Sequence, residues 1–401
     1  MSLFNNDRAD DQEPIKSETL ADNMLPDGVY FNLNEKAYHA LPRLSASGIN
    51  NMLVSPATFW FESWLNADRE DEDTPARVLG RAYHTAILEP HKFDAQFVCE
   101  LDKEDCAEGL LTDSAIKAAL KEMGQPQTKA GENVIGRAHR LRACGYEGDI
   151  WHLDLEEWEN EKGDRTPIPA QDWRDIQTDM QRLQGSPEIA DLFTGGAAEV
   201  SILWTCPDSG SRMKARVDYL KPEMIVDLKT FQNASGKRLD QCVTDAFRYN
   251  RYYTQAALYW TAVELIRSGD LGVIGDATDE EMALLHGIRT NLRPMQSWYV
   301  FQEKGGVPNL VAYEIGLFNV HASAYINEAG IDDDAVIQRT RDAVTNRSAL
   351  MMKAELEIRH AKSEFFKYSE VYGDGEPWQP VTPLRQINDE MFSGFWLDGG
   401  L

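Results

Sequence analysis

Residues 199–230, EVSILWTCPDSGSRMKARVDYLKPEMIVDLKT, hold the pattern that decides the fold. Three short runs rich in Val, Ile, Leu, Trp and Tyr are separated by two turn clusters, PDSG (207–210) and KPEM (221–224). The spacing predicts three antiparallel strands. In the third, Ile225, Asp227 and Lys229 alternate with Met224, Val226 and Leu228. A side-chain period of two then gives one apolar face and one face carrying a carboxylate and an amine.

If both clusters are four-residue loops, Cys206 pairs with Ser211 and Leu220 with Ile225. Glu199 then faces Asp218, and Asp218 faces Asp227. Directly opposed residues have Cβ atoms about 4.5–5.5 Å apart, and like charges there are destabilising. Such a row needs a proton or a cation, and Lys229, one pleat beyond Asp227, brings a single positive charge. A divalent metal is the simplest compensation. Hard oxygen donors suit Mg²⁺, with Mn²⁺ as the alternative. Such an ion polarises a phosphoryl oxygen and acidifies a bound water, while a neighbouring lysine offsets transition-state charge. On these residues alone, a surface hairpin of solvated charges is the competing reading.

The order of motifs along the chain separates the two. LSASGINNMLVSPATFWF (44–61), LGRAYHTAILEP (79–90), Glu199, KARVDYL (214–220), VDLKT (226–230) and QAALY (255–259) follow one another. An acid followed on the next strand by Asp-x-Lys resembles the PDDEXK nuclease superfamily. The full order resembles the RecE-type nuclease domain, that of exodeoxyribonuclease VIII, over roughly residues 27–320.

The resemblance implies an α/β fold with a restriction-endonuclease-like core: a central mixed sheet flanked by helices, plus helical elaborations. It makes His84, Asp218, Asp227 and the Leu228 backbone carbonyl metal ligands. Asp218, Asp227, Lys229 and Glu199 become the catalytic set, with Lys229 the catalytic lysine. Gln255 and Tyr259 lie beside the site, as the Q-x-x-x-Y element shared with RecB-type nucleases. The implied activity is Mg²⁺-dependent exonuclease digestion of linear double-stranded DNA, 5′ to 3′, leaving 3′ single strands. A single-strand annealing protein and a ring-shaped homo-oligomer are the implied partners, in phage-type DNA recombination. Two other readings stay open: a RecB-like single-strand nuclease in a repair complex, and a catalytically silent acidic interaction protein with the same fold. Some related nucleases hold an iron–sulfur cluster through cysteines close to the C-terminus. This chain has none after Cys242, so no iron–sulfur cluster is expected.

Composition frames these expectations. The 401 residues exceed one typical domain, yet a single elaborated α/β domain fits, and 42% apolar content is ample for a core. No run of about 18 uncharged apolar residues occurs and no basic–apolar signal pattern opens the chain, so a cytoplasmic protein without membrane contact is expected. The five cysteines are scattered, without CxxC, and read as reduced thiols. Forty basic against 66 acidic residues leave a net charge of −26, which repels DNA at long range. Screening confines surface interactions to roughly 8–10 Å at physiological salt, so a narrow basic lining inside an acidic shell reconciles the two.

Residues 1–24 read as a disordered acidic tail, 25–320 as the nuclease domain, and 321–401 as a C-terminal helical extension with a docking tail rich in Trp and Phe. Ser45 or Ser47, Ser55-Pro56 and Thr74-Pro75 mark helix starts. Phe59, Trp60, Phe61 and Trp64 read as core or lid rather than a base-stacking platform. In the helix from Pro75, Arg77, Arg81 and His84 share a stripe, and Gly80 permits close backbone approach. Arg81 reads equally as a phosphate contact or an ordinary surface arginine. GRAHRLR (136–142), the most basic short segment, reads as a solvated helix face. A long helix over about 244–268 carries Arg248, Arg251, Tyr252, Gln255 and Tyr259 on one stripe, suited to phosphate binding beside the metal. Arg216 joins Arg81, Arg248, Arg251, Gln255 and Tyr259 as expected DNA contacts. LLHGIRTN (284–291) reads as a core strand, and residues 295–317 as a hairpin closed at Lys304-Gly305-Gly306.

Overall fold

The computed structural model describes residues 25–69, 73–233, 236–305, 309–318, 346–373 and 375–379. Among them, the strands are β1 (Gly28–Tyr30), β2 (Phe97–Cys99), β3 (Thr166–Ile168), β4 (Ala197–Thr205), β5 (Arg212–Leu220), β6 (Met224–Phe231), β7 (Gln296–Glu303) and β8 (Leu310–Glu314). Six of them form one sheet in the order β1-β4-β5-β6-β7-β8. Only the β6–β7 pair is parallel, so the sheet is mixed. A parallel pair needs a crossover. Here it contains the helices Leu239–Tyr249, Tyr252–Arg267 and Asp279–Thr290, which bring Gln255 over the sheet.

The hairpin register follows from the two turns. Cys206 N donates to Ser211 O at 2.8 Å and Gly210, with φ 69°, donates back to Cys206 O at 2.8 Å. At the second turn Lys221 N donates to Met224 O at 2.9 Å, so the tip tightens to Pro222–Glu223 while Leu220 still pairs with Ile225. A four-residue loop and its tighter form share one register.

Helices cover both faces of the sheet. One face joins the larger core through Val200, Ile202, Trp204, Met213, Ala215, Val217, Ile225, Tyr299 and Phe301, against the 239–249, 252–267, 279–290 and Ala349–Tyr372 helices. On the other face Tyr219, Met224, Val226 and Leu228 meet Ile87 and Leu88 of the Pro75–Leu88 helix. The alternation expected in β6 is therefore present. In β4 and β5 it changes phase. Val200 and Val217 belong to the larger core, but so do Ala197 and Leu220, whereas Ala198 and Tyr219 face the smaller one. Both strands skip a residue at Glu199 and Asp218. Glu199 sits there with φ 56°, a left-handed backbone that costs a non-glycine residue about 1–2 kcal/mol.

Ser45, Ser55 and Thr74 cap their helices as their chemistry predicts, accepting from the amides of Gly48, Thr58 and Arg77. Phe59 is fully buried, and Trp64, Phe365 and Trp378 lie 5.4–5.5 Å from it, ring centre to ring centre. Trp378 thus docks on the body of the protein, while the FSGFW end falls outside the described residues. So do the expected tail over 1–24 and the stretch 319–345.

Three expectations fail. Residues 284–291 are not a strand. They end the helix Asp279–Thr290, started by a capping box in which Thr278 and Glu281 exchange side-chain and backbone hydrogen bonds. The helix expected over 244–268 is broken, because Asn250 ends one helix and Arg251, left-handed at φ 50°, begins another. Gly80 permits no close approach, since a Cβ there would meet nothing within 4 Å.

Candidate metal centre

The site opens where β5 and β6 part. Their ladder comprises only Leu220–Ile225 and Tyr219–Val226. Beyond it, the Leu228 amide donates not to a backbone carbonyl of β5 but to Asp218 Oδ2, at 2.8 Å. The carboxylate wedges the seam open and satisfies a buried donor that the ladder has dropped.

His84 reaches this point from the 75–88 helix, whose Tyr83 hydroxyl donates to Asp179 Oδ2 at 3.0 Å and anchors it to the Ala170–Gln184 helix. His84 Nδ1 lies 3.7 Å from Asp218 Oδ2. The Leu228 backbone hydrogen-bonds the same imidazole and raises its proton affinity, as an accepting carbonyl does. Glu199, aimed by its left-handed backbone, completes the group. One ligand atom each from His84, Glu199 and Asp218 fall within 4.8 Å of one another.

Asp227 stands beside this cluster rather than in it. It is fully buried, and Gln255 Nε2 donates to its Oδ2 at 2.6 Å. Its Oδ1 lies 2.6 Å from Lys229 Nζ, an ion-pair contact that lacks hydrogen-bond geometry. Tyr259 hydrogen-bonds Gln255 in turn. Lys229 Nζ also sits 4.9 Å from the centre of the Tyr252 ring and 5.7 Å from that of Tyr299. Tyr299, missed in the sequence, arrives on β7. Tyr252 was visible on the helical stripe, one turn before Gln255.

The expected DNA-contacting arginines are mostly engaged. Arg216 pairs with Glu199 and donates to Leu33 O at 3.1 Å. Arg81 forms a bidentate pair with Asp73, one arm at 2.7 Å. Arg251 lies 3.8 Å from Glu357 rather than beside Gln255, because the left-handed break turns it away. Arg248 stacks 5.6 Å from the neighbouring Tyr249 ring. In the basic segment 136–142, Arg137 pairs with Asp113 of a neighbouring helix and Arg140 with Glu132 in the loop before its own helix, so both are engaged within the protein.

Burial dominates the electrostatics. It raises the proton affinity of Glu199 and Asp218, with Arg216 opposing it at Glu199 and Lys229 at Asp218. Burial, then the Asp218 charge, pushes Asp227 up to about 7, against the Lys229 ammonium. Lys229 is buried too, but the two aspartates hold its proton well above the usual lysine range. Burial lowers His84, favouring the neutral imidazole that ligates metals.

These groups suit a divalent cation. Three carboxylates, one neutral imidazole and a carbonyl form a mainly hard donor set, and the raised proton affinity of the carboxylates marks crowded negative charge that a cation would compensate. Asp227 Oδ1 is buried and met only by the Lys229 ammonium, without hydrogen-bond geometry, so it keeps a lone pair that a cation could take.

Residues 156–272 match a family described as a PDDEXK-like domain of unknown function (DUF3799). No curated protein matches. Among solved structures, the chain is similar to a provisionally named exonuclease from Eubacterium rectale, at 14% identity over 92% of this chain and 99% of that one, with a TM-score of 0.41. A protein named SSO0001 is similar at 12% identity over 68% of this chain and 88% of that one, with a TM-score of 0.18. The matched segment contains β4, β5, β6 and Gln255 and is similar to a PDDEXK-like domain; its Glu199 and Asp218, with His84 from outside the segment, form a cluster able to hold a metal ion.

Proposed function

We propose that this protein is a Mg²⁺-dependent exodeoxyribonuclease that degrades linear double-stranded DNA, 5′ to 3′, leaving 3′ single strands for a single-strand annealing protein. The observation that carries the reading is the convergence of His84, Glu199 and Asp218 at the parted β5–β6 seam, with Asp227 and Lys229 beside them. His84, Asp218, Asp227 and the Leu228 carbonyl would hold the ion, together with Glu199 of the converging cluster. Once bound, a divalent ion supplies Lewis-acid polarisation of the phosphoryl group and acidifies water.

The protein's own residues do the rest. Lys229, kept cationic by Asp227 and flanked by two aromatic rings, presents a fixed ammonium to the scissile phosphate. Gln255 on Oδ2 and Lys229 on Oδ1 fix the Asp227 carboxylate beside the site. Arg248 is exposed and can meet a phosphate backbone, whereas Arg216 and Arg81 would do so only by exchanging Glu199 and Asp73 for phosphate. Overall charge opposes DNA, so affinity comes from this local lining.

End-labelled linear and covalently closed circular duplex, incubated with Mg²⁺ or EDTA, test the reading. Loss of the linear substrate alone, and only with Mg²⁺, is expected. Cleavage of the circle would redirect the assignment to an endonuclease, and no cleavage of either would reject it.

A further inference from the structure

The helix Tyr252–Arg267 begins without a side-chain cap from its own segment, behind the left-handed Arg251. Its first turn nonetheless carries two contacts to the centre, the Tyr252 ring beside Lys229 and the Gln255 amide on Asp227. The remaining residues of that turn meet a carboxylate from elsewhere. Tyr253 Oη lies 3.3 Å from Glu357 Oε1, Thr254 Oγ1 lies 3.4 Å from Oε2, and Arg251 Nε lies 3.8 Å from the same oxygen.

Glu357 belongs to the helix Ala349–Tyr372, outside the segment that matches the PDDEXK-like family. Lys353, one turn earlier, pairs with Glu357 from the solvent side. A carboxylate at this place is favoured by the positive end of the 252–267 helix dipole and by amides that have no intrahelical partner. Thr254 is fully buried, so its hydroxyl has few other partners within reach.

We propose that Glu357 is a positioning residue for the metal centre: by binding Arg251, Tyr253 and Thr254 it fixes the first turn of the 252–267 helix, and so holds Tyr252 against Lys229 and Gln255 against Asp227. The late helix then acts on the reaction without touching substrate. Only the kinetic half of the test rests on the nuclease reading.

The full-length protein is compared with Glu357→Ala, Glu357→Gln and a control on the same helix, Glu364→Ala, which removes a half-buried carboxylate facing Lys367. Hydrogen exchange is measured first, without metal or DNA. Glu357→Ala should speed exchange of the Gln255–Tyr259 amides by about tenfold while β4 and β5 amides keep their rates. Glu364→Ala should change neither. Glu357→Gln keeps an acceptor but loses the charge, so it should fall between, and it carries the test if the alanine variant does not fold.

In cleavage of linear duplex, Glu357→Ala should lower kcat by roughly tenfold with KM unchanged. That loss should shrink in a Gln255→Leu background, where one of the two positioned contacts is already gone. Unchanged exchange at Gln255–Tyr259, or a kcat loss that multiplies with that of Gln255→Leu, overturns the proposal. A wild-type protein that cleaves nothing rejects the nuclease reading instead, and the exchange measurement then decides Glu357 alone.

Discussion

Between β4 and β5 the register runs from Thr205–Arg212 to Ala197–Leu220 without a slip, whereas between β5 and β6 it stops after two pairs. Yet both seams are interrupted at the same residue, Asp218. On the β4 side the pairing survives and only the pleat changes phase, through the left-handed Glu199. On the β6 side the backbone ladder is given up and a side chain replaces it. Carboxylates in a sheet interior are expensive unless each oxygen has a partner. Placing them where ladder groups have been freed, or where the pleat turns sideways, supplies those partners and leaves lone pairs facing one point.

The largest expected effect comes from breaking the β6 side of that contrast. Asp227→Asn preserves shape and the contact with Gln255 but removes an anionic oxygen beside the cluster. Mg²⁺-dependent cleavage should fall to background while the melting transition remains cooperative. Activity close to wild type would take Asp227 out of the metal set.

Lys229→Ala should come next, lowering single-turnover cleavage by roughly 10²–10³ with DNA binding retained, the scale of one electrostatic stabiliser. Lys229→Arg should not restore it fully, because a planar guanidinium does not replace a compact ammonium between two rings. Recovery of Lys229→Ala at saturating Mg²⁺ would reduce the lysine to a counter-charge.

Stability should then separate the two aspartates. Asp218→Ala strands the buried Leu228 amide and should cost about 1–3 kcal/mol of metal-free stability, measured by denaturant unfolding. Asp227→Asn should act in the opposite direction. Asp227 binds its proton more tightly folded than unfolded, so metal-free stability falls as pH rises from about 4, the unfolded carboxylate value, towards about 7. The amide removes that loss, and Asp227→Asn should gain on the order of 1–2 kcal/mol at pH 8 but little at pH 4. A wild-type stability that climbs across this window would contradict the sign.

The smallest effect probes the pleat. Glu199→Gly and Glu199→Ala both lose the carboxylate, but only glycine relieves the left-handed backbone. Glycine should therefore be the more stable variant by roughly 1 kcal/mol in equilibrium unfolding. Equal stabilities would mean that the turn at Glu199 carries no strain.

Much of this was legible in residues 199–230. Alternation in β6 and the two turn clusters gave the correct register, and five motifs in order, with Glu199 among them, pointed to the fold. What the register concealed was that opposed carboxylates need not form a row. Asp218 bonds the Leu228 amide and joins His84 and Glu199, while Asp227 turns to Lys229 and Gln255. Nothing local marks the break at Arg251, where no glycine or proline stands and the contacts to Glu357 come from more than a hundred residues away in sequence. The helix Asp279–Thr290 was the opposite case. Its Thr278 and Glu281 capping pair was present in the sequence but was outweighed by the apolar LL and I of LLHGIRTN.

The central claim is that the parted β5–β6 seam is a divalent-cation site. Crystals of the full-length protein soaked in Mn²⁺ and measured at the manganese edge test it most directly. An anomalous peak with oxygen ligands at about 2.0–2.3 Å from Asp218 and the Leu228 carbonyl is expected next to His84, as is its loss in Asp218→Asn. A seam without anomalous signal at saturating Mn²⁺, or a peak that persists unchanged in Asp218→Asn, would contradict it.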